Sequence, residues 1–360
     1  MDQLRDVACR LSEPGKGILA SDESTGTIGK RLEKAGLNNT EDIRKAYREQ
    51  FYTAGIGCSI SGAILYKETL YQTSSQDVPF VDCLTRQAVL PGIKVDQGLV
   101  PVEGCEGESS TRGLDRLEAD CKSYRQQGAR FCKWRAALRI GIGTPSQKAI
   151  GINAQQLAQY AAVAQACDLV PVVEPEILID GDHGIHRSSA VSQEVLQACI
   201  AQLWRHNVDL EATLLKPMMV MPGADAQSKA SPEDVSCATL DALRRCVPPA
   251  VPGIMFLSGG LSEEEATVYL NSINKHAIEH NARHWALSFS FGRALQASVL
   301  KLWVAEREGK ASPGKAKEMA SAVAAANAAA SLGRYQGPHP SITSGDASLR
   351  ETYRGWQTDV

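Results

Sequence analysis

Ala212-Thr-Leu-Leu-Lys216-Pro217 reads as a short buried strand that ends on a charge. Thr213, Leu214 and Leu215 suit a sheet, Lys216 breaks the apolar run, and Pro217, which has no N–H to give a ladder, ends it. Seven similar runs recur along the chain: Gly17–Asp22, Gly62–Tyr66, Gly92–Asp96, Phe131–Arg135, Val170–Glu174, Gly253–Ser258 and Ala286–Ser290. Longer helical patterns separate them. Strands alternating with helices imply βα units and a parallel sheet, and eight such units imply an α/β fold closed as a (β/α)8 TIM barrel.

Helix starts support this division. Thr40-Glu-Asp-Ile43 and Ser231-Pro232-Glu-Asp read as capped N-termini, and Ser262-Glu-Glu-Glu265 as a capping box. Ser312-Pro313 is expected to open an Ala-rich helix that closes near Gly333. Residues 336–360 are rich in Gly, Pro, Ser and Thr and show no periodicity. The expected organisation is one barrel domain over residues 1–335 and a flexible C-terminal tail over 336–360.

The chain has 360 residues with 38 basic and 41 acidic side chains, a net charge of −3. That balance argues against general affinity for nucleic acid or acidic membranes, so any anion binding must come from a local basic cluster. The ten cysteines include no C-x-x-C pair, and their scatter suits reduced, mostly buried thiols. The N-terminal residues carry no apolar signal core, and no run of about 18 apolar residues suggests a membrane span. The expected location is the cytoplasm, or the plastid stroma if a transit peptide has been removed.

Five of the eight candidate strands end in charge, where a purely structural strand would stay apolar. Three carry charged pairs two residues apart, Lys94/Asp96, Lys133/Arg135 and Glu174/Glu176, and such pairs share one side of a strand. With Asp22 and Lys216, five strand ends can converge at the barrel mouth, where enzymes of this architecture place their active sites. An ion-pair network with only a structural role would use the same residue types; the excess of lysines argues against it. Lys94, Lys133 and Lys216 close together are expected to depress one ammonium pKa and free an amine for Schiff-base chemistry, and Lys216 is the best placed nucleophile. Glu174 and Glu176 are the candidate proton shuttles, with Asp22 as a candidate base. Asp22-Glu23-Ser24-Thr25-Gly26 also has the plainer reading of a helix-capping turn.

Ser258-Gly259-Gly260 after the seventh strand and Ser290-Phe-Gly292-Arg293 after the eighth match the recurrent phosphate site of barrels. Ser24, Thr27 and Arg31, helped by Lys94, are candidates for a second phosphate at the opposite rim, and Arg135 joins the substrate-binding set. Asp180-Gly-Asp182-His183-Gly-Ile-His186 offers the residue types of a metal site, but no third histidine has supporting spacing and a solvated or hydrogen-bonded loop is the preferred reading. No metal or other cofactor is expected.

From about residue 5 to residue 335 the sequence resembles the class I fructose-bisphosphate aldolases. The resemblance lies in Gly15-Lys-Gly-Ile-Leu-Ala-Ser-Asp-Glu-Ser-Thr-Gly26, Val173-Glu-Pro-Glu-Ile177, Leu214-Leu-Lys-Pro217, Pro248-Pro-Ala-Val251, Phe256-Leu-Ser-Gly-Gly260 and Gly292-Arg-Ala-Leu-Gln-Ala297. It implies a (β/α)8 barrel, an imine-forming Lys216, an acid/base Glu174 and supporting roles for Asp22, Lys133 and Glu176. The phosphate ligands it implies are Ser24, Thr27, Arg31 and Lys94 on one side, and Ser258, Gly259, Ser290, Gly292 and Arg293 on the other. It further implies a metal-free homotetramer acting on a phosphorylated sugar in glycolysis, gluconeogenesis or carbon fixation.

The chain departs from the pattern at Met218, where asparagine is familiar, at Ala212 for a usual glycine, and at Phe291 for tyrosine. It also ends Trp356-Gln-Thr-Asp-Val360, with its last tyrosine at Tyr353, where animal members end in tyrosine. The expectation is an altered turnover or altered preference between bisphosphate and monophosphate. The alternatives are an aldolase for seven-carbon bisphosphates, a metal-dependent aldolase or isomerase using His183 and His186, and a non-catalytic phosphosugar-binding barrel.

Overall fold

A computed structural model describes residues 2–344. Its strands, in chain order, are β1 (Gly17–Ser21), β2 (Ile60–Leu65), β3 (Leu90–Lys94), β4 (Leu99–Pro101), β5 (Ser109–Thr111), β6 (Phe131–Arg139), β7 (Val170–Leu178), β8 (Leu214–Leu215), β9 (Gly253–Phe256) and β10 (Ala286–Phe291). Eight of them close a parallel barrel in the order β1-β10-β9-β8-β7-β6-β3-β2, and these are the eight expected from sequence. The antiparallel hairpin β4–β5 is an insertion between β3 and β6 that the sequence did not announce.

Helix α1 (Asp2–Leu11) precedes the barrel, and α2 (Thr25–Lys34) and α3 (Glu41–Tyr52) link β1 to β2. Two short helices, α4 (Lys67–Leu70) and α5 (Phe80–Thr85), lead to β3, and α6 (Leu117–Gln126) leads to β6. Then α7 (Gln147–Ala166), α8 (Ile185–Arg205), α9 (Pro232–Cys246) and α10 (Glu263–Glu279) follow β6, β7, β8 and β9 in turn. After β10 come α11 (Arg293–Arg307) and α12 (Lys315–Ser331).

The caps explain several boundaries. Thr40, Ser231 and Ser262 each accept a backbone N–H of their own helix, and the last two complete capping boxes with Asp234 and Glu265. The α12 start differs from expectation: Gly314, with φ +92°, is its N-cap, so Ser312-Pro313 lies in the preceding turn. At its other end Gly333 takes φ +69°, and Arg334 N–H bonds Ala329 O at 2.9 Å, a Schellman closure. The first residues of the expected tail are docked. Pro340–Ser344 forms a 3-10 turn and the His339 side chain is fully buried. The rest of the expected tail, with Tyr353 and Val360, lies outside the described residues.

Strand alternation places apolar side chains deep in the barrel and charged ones at its mouth. Along β6, Phe131, Lys133 and Arg135 share one face; along β7, Val170, Val172, Glu174 and Glu176 do; through β8, Ala212, Leu214 and Lys216 do. The deep members, Ile18, Ile64, Leu90, Phe131, Val170, Val172, Leu214 and Met255, form one buried cluster with Leu4, Ala8 and Leu11 of α1, which plugs that end. Phe131 needs room from its neighbours: a Cβ on Gly92 would meet its ring at 2.3 Å. The upper members line a cavity of about 1060 Å³. A larger apolar shell packs the helices on the barrel's outer face.

Candidate active site

β8 is shorter than the sequence suggested, because Leu210–Ala212 turns as a 3-10 helix. The ladder nevertheless carries on past it, since Lys216 N–H bonds Val173 O at 2.8 Å and Leu257 N–H bonds Pro217 O at 3.0 Å. Lys216 is thus fixed by backbone on both sides of the proline, with its side chain only 5% exposed.

Lys216 Nζ lies 3.0 Å from Glu174 Oε1, and Lys133 Nζ lies 3.1 Å from Glu174 Oε2 and 2.7 Å from Asp22 Oδ2. Lys94 Nζ pairs with Asp96 Oδ1 at 2.8 Å. This corrects the expectation of crowded ammonium groups: each lysine has a carboxylate as its near neighbour, although Lys94 and Lys133 are register partners on adjacent strands. Burial pushes the Asp22 carboxyl up, but the Lys133, Lys216 and Lys94 ammonium groups more than offset it and hold it at about 2. Asp96 is lowered for the same reasons, against its own burial, by Lys94 and Lys133. For Lys133 burial favours the neutral amine, yet Asp22, Glu174 and Asp96 raise its pKa, so it stays an ammonium. Asp22 is therefore a fixed anion and a poor base in this arrangement.

The two glutamates differ in setting. Glu174 bridges two lysines, whereas Glu176 pairs with Arg135 Nε; all five line the same cavity. Only Glu174 stands next to Lys216.

Both rims hold candidate anion groups. On one, Ser258, Gly259, Ser290, Gly292 and Arg293 line the cavity, while Gly260 is buried behind it. Gly292 caps α11 with no side-chain acceptor, leaving the first backbone N–H groups of that helix free of a capping side chain. The neighbouring α10 N-terminus is taken by its own capping box. Arg293 Nη2 donates to Gly259 O at 2.5 Å, tying the two loops together, and the Ser290 hydroxyl is buried without a hydrogen-bond partner. On the opposite rim Ser24 N-caps α2 by accepting from Thr27 N at 3.2 Å, so the capping-turn reading also holds. Arg31 Nη1 donates to Glu23 Oε1 at 2.7 Å, and Ser24, Thr27, Arg31 and Lys94 all face the cavity.

Several cavity groups were not singled out from sequence. Glu23 joins Arg31 to Gln296, whose amide donates to Glu23 Oε1 at 2.9 Å and to Ala20 O at 2.6 Å. Lys30, Lys67 and Arg112 also line the mouth, adding positive charge. Gln296, three residues past Arg293 on the inner face of α11, had a legible position; Arg112 arrives on the unannounced hairpin and did not. The Asp180–His186 loop is knitted to residues 223–225 through backbone bonds such as Gly223 N–H to His183 O at 2.8 Å. Five of the ten cysteines are buried, and Cys9, Cys58 and Cys237 are exposed, fewer buried thiols than expected.

The family model for class-I fructose-bisphosphate aldolase matches residues 3–354. Fructose-bisphosphate aldolase 6, cytosolic, from Arabidopsis thaliana is 52% identical over 337 residues, 93% of this chain and 92% of that protein. Fructose-bisphosphate aldolase C from Rattus norvegicus is 49% identical over 93% of this chain and 91% of its own length. Among solved structures, a fructose-bisphosphate aldolase from Plasmodium falciparum, crystallised with TRAP and a small-molecule inhibitor, superposes with a TM-score of 0.90. Identity there is 47%, covering 94% of this chain and 96% of that one. Barrel, mouth and relatives agree, and the chain belongs to the class-I fructose-bisphosphate aldolase family.

Proposed function

We propose that this aldolase cleaves fructose 1,6-bisphosphate reversibly to glycerone phosphate and glyceraldehyde 3-phosphate through an imine on Lys216. The observation that carries the reading is the buried Lys216–Glu174–Lys133 chain, in which one carboxylate touches both ammonium groups.

In its neutral form the Lys216 amine adds to the C2 ketone, forming a C–N bond and a carbinolamine. Glu174, holding the proton the lysine gave up, returns it to the C2 hydroxyl, which leaves as water and gives the iminium. A carboxylate, again best placed as Glu174, then takes the C4 hydroxyl proton. The C3–C4 bond breaks, its electron pair flows into the iminium to give an enamine, and glyceraldehyde 3-phosphate leaves. Protonation at C3 and hydrolysis by water release glycerone phosphate and the free lysine. Asp22 and Lys133 act as fixed charges in this scheme: Lys133 offsets carboxylate charge beside the reacting hydroxyls, and Asp22 keeps Lys133 protonated. The two rims hold the two phosphates at opposite ends of an extended sugar, with Arg293, Ser258, Gly259, Ser290 and Gly292 on one and Ser24, Thr27, Arg31 and Lys94 on the other. Glu176 and Arg135 fix each other at the cavity wall.

Residues 1–335 form the catalytic unit of this proposal, and a homotetramer is its expected assembly. The cytosolic isozymes among the relatives support a cytoplasmic location for a glycolytic lyase of this kind.

Borohydride added with substrate should reduce the imine to a stable adduct, and peptide mass spectrometry should find that adduct on Lys216. Cleavage should survive chelator treatment. An adduct on another lysine, or no adduct in a protein that turns over, would sink the assignment.

A further inference from the structure

On the barrel's exterior, where α9 packs against α10, Glu233, Cys237 and His276 bring a carboxylate, a thiol and an imidazole together. Glu233 and Cys237 are four residues apart on α9 and so share a face, which meets His276 on α10. Glu233 Oε1 lies 3.0 Å from His276 Nδ1, and Cys237 Sγ lies 3.7 Å from Glu233 Oε1 and 3.9 Å from His276 Nδ1. None of the three lines the barrel-mouth cavity.

We propose that this triad is a binding site for a zinc-class divalent cation, separate from the aldol chemistry. Bond lengths of about 2.3 Å to sulfur and 2.0–2.1 Å to nitrogen and oxygen give a tetrahedral ion donor–donor edges of roughly 3.3–3.6 Å. The observed separations of 3.0, 3.7 and 3.9 Å bracket those edges, so seating the ion takes shifts of a few tenths of an ångström, which the exposed Glu233 and Cys237 side chains can supply. The mixed sulfur, nitrogen and oxygen donor set selects zinc and its neighbours over magnesium or calcium, which take oxygen. Three protein ligands leave the fourth position to water.

The surroundings favour the ion. Asp234 and Asp241 add negative charge near Cys237. Ser236 and Ser272 hydroxyls lie 2.7 Å apart, and Ser272 Oγ donates to Pro232 O at 3.1 Å, so the two helices are already pinned beside the triad. His280 stacks on the His276 ring with centroids 4.0 Å apart, limiting how that ring can turn. The Cys237 thiol donates toward Glu233 Oε1 at 3.7 Å, and an incoming cation replaces that proton. Bound metal would clip α9 to α10 and stabilise the folded chain by mass action.

Cobalt titration of the full-length protein tests this. One equivalent should bring up thiolate-to-cobalt charge-transfer absorption, which zinc then abolishes, and zinc should raise the melting temperature. Cys237→Ser and His276→Asn should each weaken cobalt binding by on the order of 100-fold or more, since even outer partners of metal sites are worth 10–100-fold. Aldol cleavage should be unchanged in both variants and after chelation. Absence of the thiolate band in the native protein, or its persistence in Cys237→Ser, would overturn the proposal.

Discussion

Replacing Lys133 by methionine tests whether the mouth is an electrostatic unit or a set of independent side chains. Methionine nearly conserves the volume, so cavity terms stay small and the change is one of charge. The lost ammonium lies 2.7 Å from Asp22 and 3.1 Å from Glu174, and all three side chains are at most 12% exposed. Removing one partner from a buried pair costs about 3–5 kcal/mol, because the remaining charge is stranded. An independent figure comes from Asp22 alone. Its fall from 3.8 to about 2 amounts to roughly 2 kcal/mol of stabilisation at neutral pH, part of it owed to Lys133. That contribution is fully present above pH 3.8 and is lost as pH falls through about 2, so in the native protein it does not change between pH 5 and 7. The variant should behave differently. With its burial no longer offset by Lys133, the Asp22 carboxyl should rise and take up a proton in that window, so the penalty should shrink by about 1–2 kcal/mol on going from pH 7 to pH 5. Urea unfolding of both proteins at the two pH values, at fixed protein concentration, measures this. A penalty under about 1 kcal/mol at pH 7, or one that is the same at both values, would refute the account.

Three further outcomes follow from single contacts. Arg293→Ala should raise KM for the bisphosphate about 10- to 100-fold, the worth of a charge-assisted contact, while borohydride trapping on Lys216 persists; loss of trapping would show that Arg293 does more than bind. Ser290→Ala removes a buried hydroxyl that has no partner in the free protein, so melting temperature should hold or rise while KM rises about 2- to 10-fold; a clear loss of stability would contradict the geometry. Gly92→Ala drives a methyl into the Phe131 ring and should cost about 1–3 kcal/mol in urea unfolding, and Phe131→Leu in the same chain should recover part of it; no cost would mean that the barrel floor is looser than described.

The barrel was legible because strand alternation and helix caps are local signals. Ser231 and Ser262 cap where their side chains indicate, and the inward residues of β6 and β7 change from apolar to charged within a few positions. What stayed hidden depends on distant partners. β4 and β5 have three residues each and too little pattern to declare themselves. They form because Thr111 Oγ1 donates to Arg135 O at 2.7 Å and Ser109 Oγ donates to Ala137 O at 3.2 Å, satisfying β6 where it runs beyond β3.

The same limit applies to the charges. The sequence shows three lysines and several carboxylates at strand ends but not their order around the mouth, and that order decides the chemistry. Three adjacent ammonium groups would repel one another and leave no base within reach. With Asp22, Glu174 and Asp96 set between them, the lysines are held in place and a proton can pass from Lys216 to Glu174 over 3.0 Å. Lys133, kept charged by Asp22, makes the carboxylate between the two lysines tolerable in a site that is otherwise buried. The reacting pair is therefore a property of strand order as much as of residue type: moving Lys133 to another strand would keep the composition and leave Glu174 with Lys216 as its one ion-pair partner among the described residues.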